Sequence, residues 1–181
     1  MTDIERLEMR LRNSKKNLCW TIPSLVFVSL FLVIPSVGSE VIDEAIALMA
    51  DGEFLQAAKT GDKLGTSEGF ALAANALAIY GYEIAGEEEK EELFLRAIAY
   101  AEKAVELDPH NSEAYLQVSH TLGRYAQIIG VAKALSGGFA EKTKSAMEKA
   151  ISLDPENYRA HLSLGSWQHQ RAYSRNGNHC L

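Results

Sequence analysis

Cysteine is nearly absent from this chain of 181 residues, where Cys19 and Cys180 are the only two. Two such residues make no disulfide framework. Cys19 opens an apolar run instead of following one, so it does not read as a lipoprotein acceptor, and Cys180 stands too near the end for a prenylation motif. Proline is also scarce, and beyond position 40 only Pro109 and Pro155 remain. Catalytic signatures are missing as well. There is no His-Glu-x-x-His, no Cys-x-x-Cys and no Gly-x-Ser-x-Gly elbow. The stretch Gly137 to Thr143 ends in Lys-Thr, but Glu141 stands where a phosphate-binding loop needs glycine before the lysine. It reads as a helix C-cap followed by a turn.

Metal chemistry is equally thin. The five histidines are scattered, and His161 with His169, two helical turns apart, supply too few ligands for a site. The run Glu87 to Glu92 lacks the glycine and irregular backbone of a calcium loop, and acidic residues suit the first turn of a helix. The expectation is no enzyme, no cofactor and no metal.

Basic charge is short over most of the chain. From Glu40 to Glu156 there are 21 acidic and 10 basic side chains, a surface that excludes nucleic acid as a partner. From Asn157 onward the shortage reverses: no acidic residue appears, while Arg159, Arg171 and Arg175 do. This makes a basic tip on an acidic body, read as a solvated tail, with an electrostatic contact to an acidic partner or to another copy's body as the alternative.

What the chain does contain is a phrase written twice. Ala104-Val105-Glu106-Leu107-Asp108-Pro109-His110-Asn111 returns as Ala150-Ile151-Ser152-Leu153-Asp154-Pro155-Glu156-Asn157, 46 residues later. A fixed period of this order marks a repeat array whose units bury their apolar faces only by stacking. Proline disfavours helical geometry in the residue before it, so helices stop near Leu107 and Leu153. Leu93, Ala97, Ile98, Ala101 and Val105 recur at steps of three and four, as do Ala114, Tyr115, Val118, Leu122 and Ala126. Each unit is a helical hairpin, with Ala97, Ala104 and Ala150 as close-contact positions between axes.

These residues resemble the tetratricopeptide repeats: Leu164-Gly165 follows Pro155-Glu156-Asn157, Tyr115, Val118 and Ser119 follow Pro109, and Gly52 to Ala58 looks like a turn and second-helix opening. The likeness covers roughly Glu40 to Gln170. It implies an all-α, right-handed α-solenoid of stacked antiparallel hairpins. The family's unit is about 34 residues long, so the extra length here is assigned to Glu83–Glu92 and Gly130–Ala140, either as longer helices or as projecting turns. Lengthened hairpins ending in His161-x2-Leu164-Gly165-x-Trp167 are also similar to the helical repeats of the regulator of microtubule dynamics family.

The N-terminus carries a separate signal. No charge lies between Lys16 and Glu40, and Trp20 to Val37 is dominated by Leu, Val, Ile and Phe after a basic stretch holding Arg6, Arg10, Arg12, Lys15 and Lys16. Residues 1–39 therefore read as a signal peptide cleaved before Glu40, after the small residues Val37-Gly38-Ser39, or as an uncleaved anchor spanning the membrane through 20–37. Initiation at Met9 would give a more compact basic region. The repeats are expected to be exported, periplasmic or extracellular. Residues 40–170 form the repeat domain, and 171–181 a polar tail.

Tetratricopeptide grooves that clamp a C-terminal carboxylate do so with lysine, asparagine and arginine. The corresponding positions here are Asn75, then Leu116, Gln117 and His120, then Arg159, Leu162 and Ser163. Only Asn75 and Arg159 suit that role, so a chaperone-tail clamp is not expected. The groove candidates are Asn75, His120, Arg124 and Arg159. The expected function is an exported, non-catalytic scaffold that binds a peptide or partner protein; a membrane-anchored structural part of a cell-envelope assembly is the alternative.

Overall fold

A computed structural model of the chain describes residues 37–175. The apolar segment 20–36, Cys19, His179 and Cys180 lie outside the described residues. Among the described residues eight helices follow one another: α1 Val37–Ala50, α2 Phe54–Leu64, α3 Ser67–Glu83, α4 Glu87–Leu107, α5 Ser112–Ile129, α6 Val131–Ser136, α7 Phe139–Leu153 and α8 Tyr158–Arg175. Consecutive long helices pack as antiparallel neighbours, and α1, α3 and α5 also stack in sequence, so the hairpins form a solenoid.

The duplicated phrase folds the same way both times. Asp108 accepts from the His110 amide at 2.9 Å and Asp154 accepts from the Glu156 amide at 3.0 Å, which closes each proline turn. Asn111 then caps α5 by accepting from the Ala114 amide at 3.1 Å, and Asn157 caps the next helix through Ala160 at 3.1 Å. Thr66 does this for α3 through Gly69. Such a cap contributes about 1 kcal/mol by satisfying an amide the helix leaves free.

The units are joined by a second set of bonds. Ser67 donates to the Ala104 carbonyl at 2.8 Å and accepts from Asn111 Nδ2 at 2.8 Å. Ser112 repeats this, donating to the Ala150 carbonyl at 3.0 Å and accepting from Asn157 at 2.8 Å. One serine thus ties the first helix of a hairpin to the second and to the start of the next hairpin.

Ala97, Ala104 and Ala150 are fully buried, as their close-contact reading requires. Phe94 and Leu77 fill the space between α3 and α4, where Gly81 lets the Phe94 ring approach. The crossing of α2 and α3 is closer still. A Cβ on Gly61 would lie 2.5 Å from the Gly69 carbonyl oxygen, so the two backbones meet without side chains between them.

The extra length of the two hairpins takes two forms. In the first, α4 is drawn out to 21 residues and opens with Glu87, Glu88 and Glu89. In the second, the six-residue α6 fills the connection between α5 and α7, bracketed by Gly130 and Gly138 at φ 85 and 66. Positive φ suits glycine, and the chain turns sharply at both places. Within the described residues α1 runs from Val37 and α8 runs through Arg175. Among the described residues no helix is long and apolar enough to cross a membrane.

Candidate functional site

The site is a cavity of about 400 Å³ formed where α3, α5, α7 and α8 converge. Tyr82 comes from the end of α3, His120 and Arg124 from successive turns of α5, Thr143 from α7, and Ser163 and Trp167 from α8. Residues 120 and 124 share a helical face, which aims imidazole and guanidinium at the same space.

Arg124 is held by an aromatic face. Its Cζ lies 4.0 Å from the Tyr82 ring centroid, a cation–π contact that orients the guanidinium without neutralising it. Among the described residues Arg124 makes no ion pair. The rest of the lining supplies the hydroxyls of Thr143, Ser163 and Ser166 and the amides of Gln127 and Gln170. Among the described residues Arg124 is therefore the single formal charge on the wall.

His120 is kept neutral. Burial, then the charges of Arg159 and Arg124, lower its pKa from 6.5 to about 4. Its Nε2 lies 2.8 Å from Ser163 Oγ, and that hydroxyl donates its one proton to the Arg159 carbonyl at 2.8 Å. Nε2 must then carry the hydrogen, which leaves Nδ1 as an acceptor. His120 so links α5 to α8.

Arg159 sits nearby but is engaged. It pairs with Glu113 Oε1 at 2.7 Å, and the same oxygen accepts from Gln117 Nε2 at 2.6 Å. Asn75 is half-buried on α3 and is not among the residues lining this cavity. Leu116 and Gln117, aligned with clamp positions, are fully buried, and Gln117 Oε1 has no hydrogen-bond partner among the described residues. The structure thus brings His120 and Arg124 together, sets Arg159 beside them in an ion pair, and leaves Asn75 apart.

Tyr82, Thr143 and Trp167 were not legible as site residues. Tyr82 lies on α3, well before Arg124 in sequence, and only the stacking of α3 on α5 places its ring under the guanidinium. The basic tip is partly absorbed as well: Arg171 stacks over Trp167 at 4.7 Å and reaches Glu141 at 3.4 Å.

Stacked antiparallel hairpins with capped proline turns define a tetratricopeptide-like helical repeat protein. A solved structure, the first TPR of Spaghetti (RPAP3) bound to the HSP90 peptide SRMEEVD, is similar over 75% of this chain and 93% of its own, at 16% identity and a TM-score of 0.52. The family described as regulator of microtubule dynamics protein 1-3 matches residues 43–174, and the chain belongs to it. Among curated proteins no sequence matches significantly.

Proposed function

We propose that this protein is a non-catalytic scaffold that binds an acidic segment of a peptide or partner protein in the cavity at His120 and Arg124. The observation that carries the reading is the state of Arg124: fixed over Tyr82, lining a cavity, and facing hydroxyls and amides instead of a carboxylate. A carboxylate entering there gains a charge-assisted hydrogen bond of about 1.5–3 kcal/mol. Trp167, Met147 and Leu162 offer apolar contact beside it. The Spaghetti domain is solved with a peptide bound, which supports the same use of this fold. Arg159 acts from the margin of the site through its charge, while Asn75, which does not line the cavity, takes no part in the proposed contact.

The test is selection of peptides from a random displayed library on immobilised protein. Enrichment of Asp and Glu that disappears with Arg124→Ala supports the site. Equal enrichment on both proteins rejects it.

Export of the domain is part of the proposal, with a retained N-terminal anchor as its second form. Mass spectrometry of the mature N-terminus distinguishes the two, and a full-length chain found in the cytoplasmic soluble fraction rejects both.

A further inference from the structure

The array exposes at its ends what it buries in its middle. Leu116 on α5 is fully buried against Ala150 of α7 and Ala160 of α8. Leu162 holds the same place on α8, 46 residues later, and is 66% exposed, with Tyr158 one turn earlier at 69%. Ser119 is buried, while its counterpart Gly165 is exposed and a Cβ there would meet nothing within 4 Å. Together these residues border an open groove with Pro155, Glu156 and His161. A face built to receive a helix is open there among the described residues.

A further hairpin on this face would lack the serine–asparagine bridge found at the two preceding junctions. Ser67 and Ser112 receive the asparagine of the following unit, but the corresponding residue of α8 is Tyr158, which cannot repeat that short bridge. The opposite end of the array supplies a better fit. On α1, Ala45 is buried, while Asp43, Ile46, Ala47 and Ala50 are exposed at the spacing of one helical stripe, with Ile46 at 54%. Residues 37–58 hold Glu40, Asp43, Glu44, Asp51 and Glu53 and no basic side chain; residues 157–175 hold arginines and no carboxylate. Arg159 and Arg171 each have one acidic partner yet stay about half exposed, at 40% and 45%.

We propose that copies of this protein join head to tail, the Tyr158–Leu162–Gly165 face of α8 receiving the Asp43–Ile46–Ala50 stripe of α1 from a second copy. Opposite charge favours this pairing, whereas α8 packed on another α8 would set arginine against arginine. The contact is heterologous, so each addition leaves a fresh end until the rotation between copies closes a ring.

Sedimentation of the full chain in density-matched detergent tests this. The mass should rise with concentration in the unaltered protein. Leu162→Asp and Ile46→Asp, both at exposed positions, should each weaken association at least tenfold with unchanged circular dichroism. Mixing the two variants should restore association, but only to a 1:1 pair, because each retains one intact end. A monomer at every concentration overturns the proposal. So does self-association of Ile46→Asp alone, which would mean a symmetric α8 contact, or undiminished association of both variants, which would place the contact in residues 1–36.

Discussion

Asn157 donates to Ser112 one unit after Asn111 donates to Ser67, and both bonds are 2.8 Å long. Each asparagine does two jobs, since its oxygen caps a helix while its amide nitrogen reaches the preceding unit.

Replacing Ser112 with Ala should therefore cost more than one hydrogen bond. The Asn157 side-chain amide loses its partner and the Ala150 carbonyl loses one of two, keeping the Asp154 amide at 3.0 Å, and the loss should be about 1–3 kcal/mol. Urea denaturation measures it. A change below a few tenths would mean that water replaces the serine without penalty.

Gly61→Ala should be more damaging than most glycine-to-alanine changes inside helices, which normally stabilise by raising helix propensity. Here the new methyl meets the Gly69 carbonyl, and α2 must move off α3. A destabilisation of about 1–3 kcal/mol is expected, the usual cost of overpacking. A rise in Tm would show the crossing is looser than described. Ala150→Leu, at a fully buried contact of α7 with Leu116, should behave alike.

The pH dependence follows from His120. Its folded pKa is depressed to about 4 from 6.5, so the folded protein binds fewer protons than the unfolded chain between those values. Stability is full above about pH 6.5 and is lost as pH falls towards 4, by roughly 1–3 kcal/mol from this one group. His120→Gln should flatten that interval relative to the unaltered protein. Identical pH profiles would locate the acid sensitivity in the carboxylates.

The two arginines should separate. Arg124→Ala should abolish selection of acidic peptides and leave the melt nearly unchanged, because it breaks no ion pair among the described residues. Arg159→Ala should lower stability by about 0.2–1 kcal/mol through the half-exposed Glu113 pair, with a smaller effect on peptide selection. The reverse pattern would move the site to Arg159.

Fold was far more legible than site, and the reason is the range over which each is encoded. Asp-Pro turns, asparagine caps and alanine contacts are local or recur at one period, so a single pass along the chain finds helices ending at Leu107 and Leu153. The approach of Gly61 to Gly69 leaves no such trace, because a glycine allowing close contact reads like any other glycine. Pairing is worse. Arg124 and Arg159 look alike in sequence, yet Glu113 engages one and Tyr82 supports the other, and that difference exists only after α3, α5 and α8 have stacked.

The doubled serine bridge also sets how such an array can change its length. Ser67 and Ser112 each offer the same donor and acceptor to the carbonyl and the asparagine that follow them, so a segment running from one to the other is interchangeable with its neighbour. Loss or duplication of one whole segment would rejoin matching chemistry at the seam, whereas a cut at any other period would strand an asparagine without its hydroxyl. Growth of this architecture is therefore quantised in hairpins.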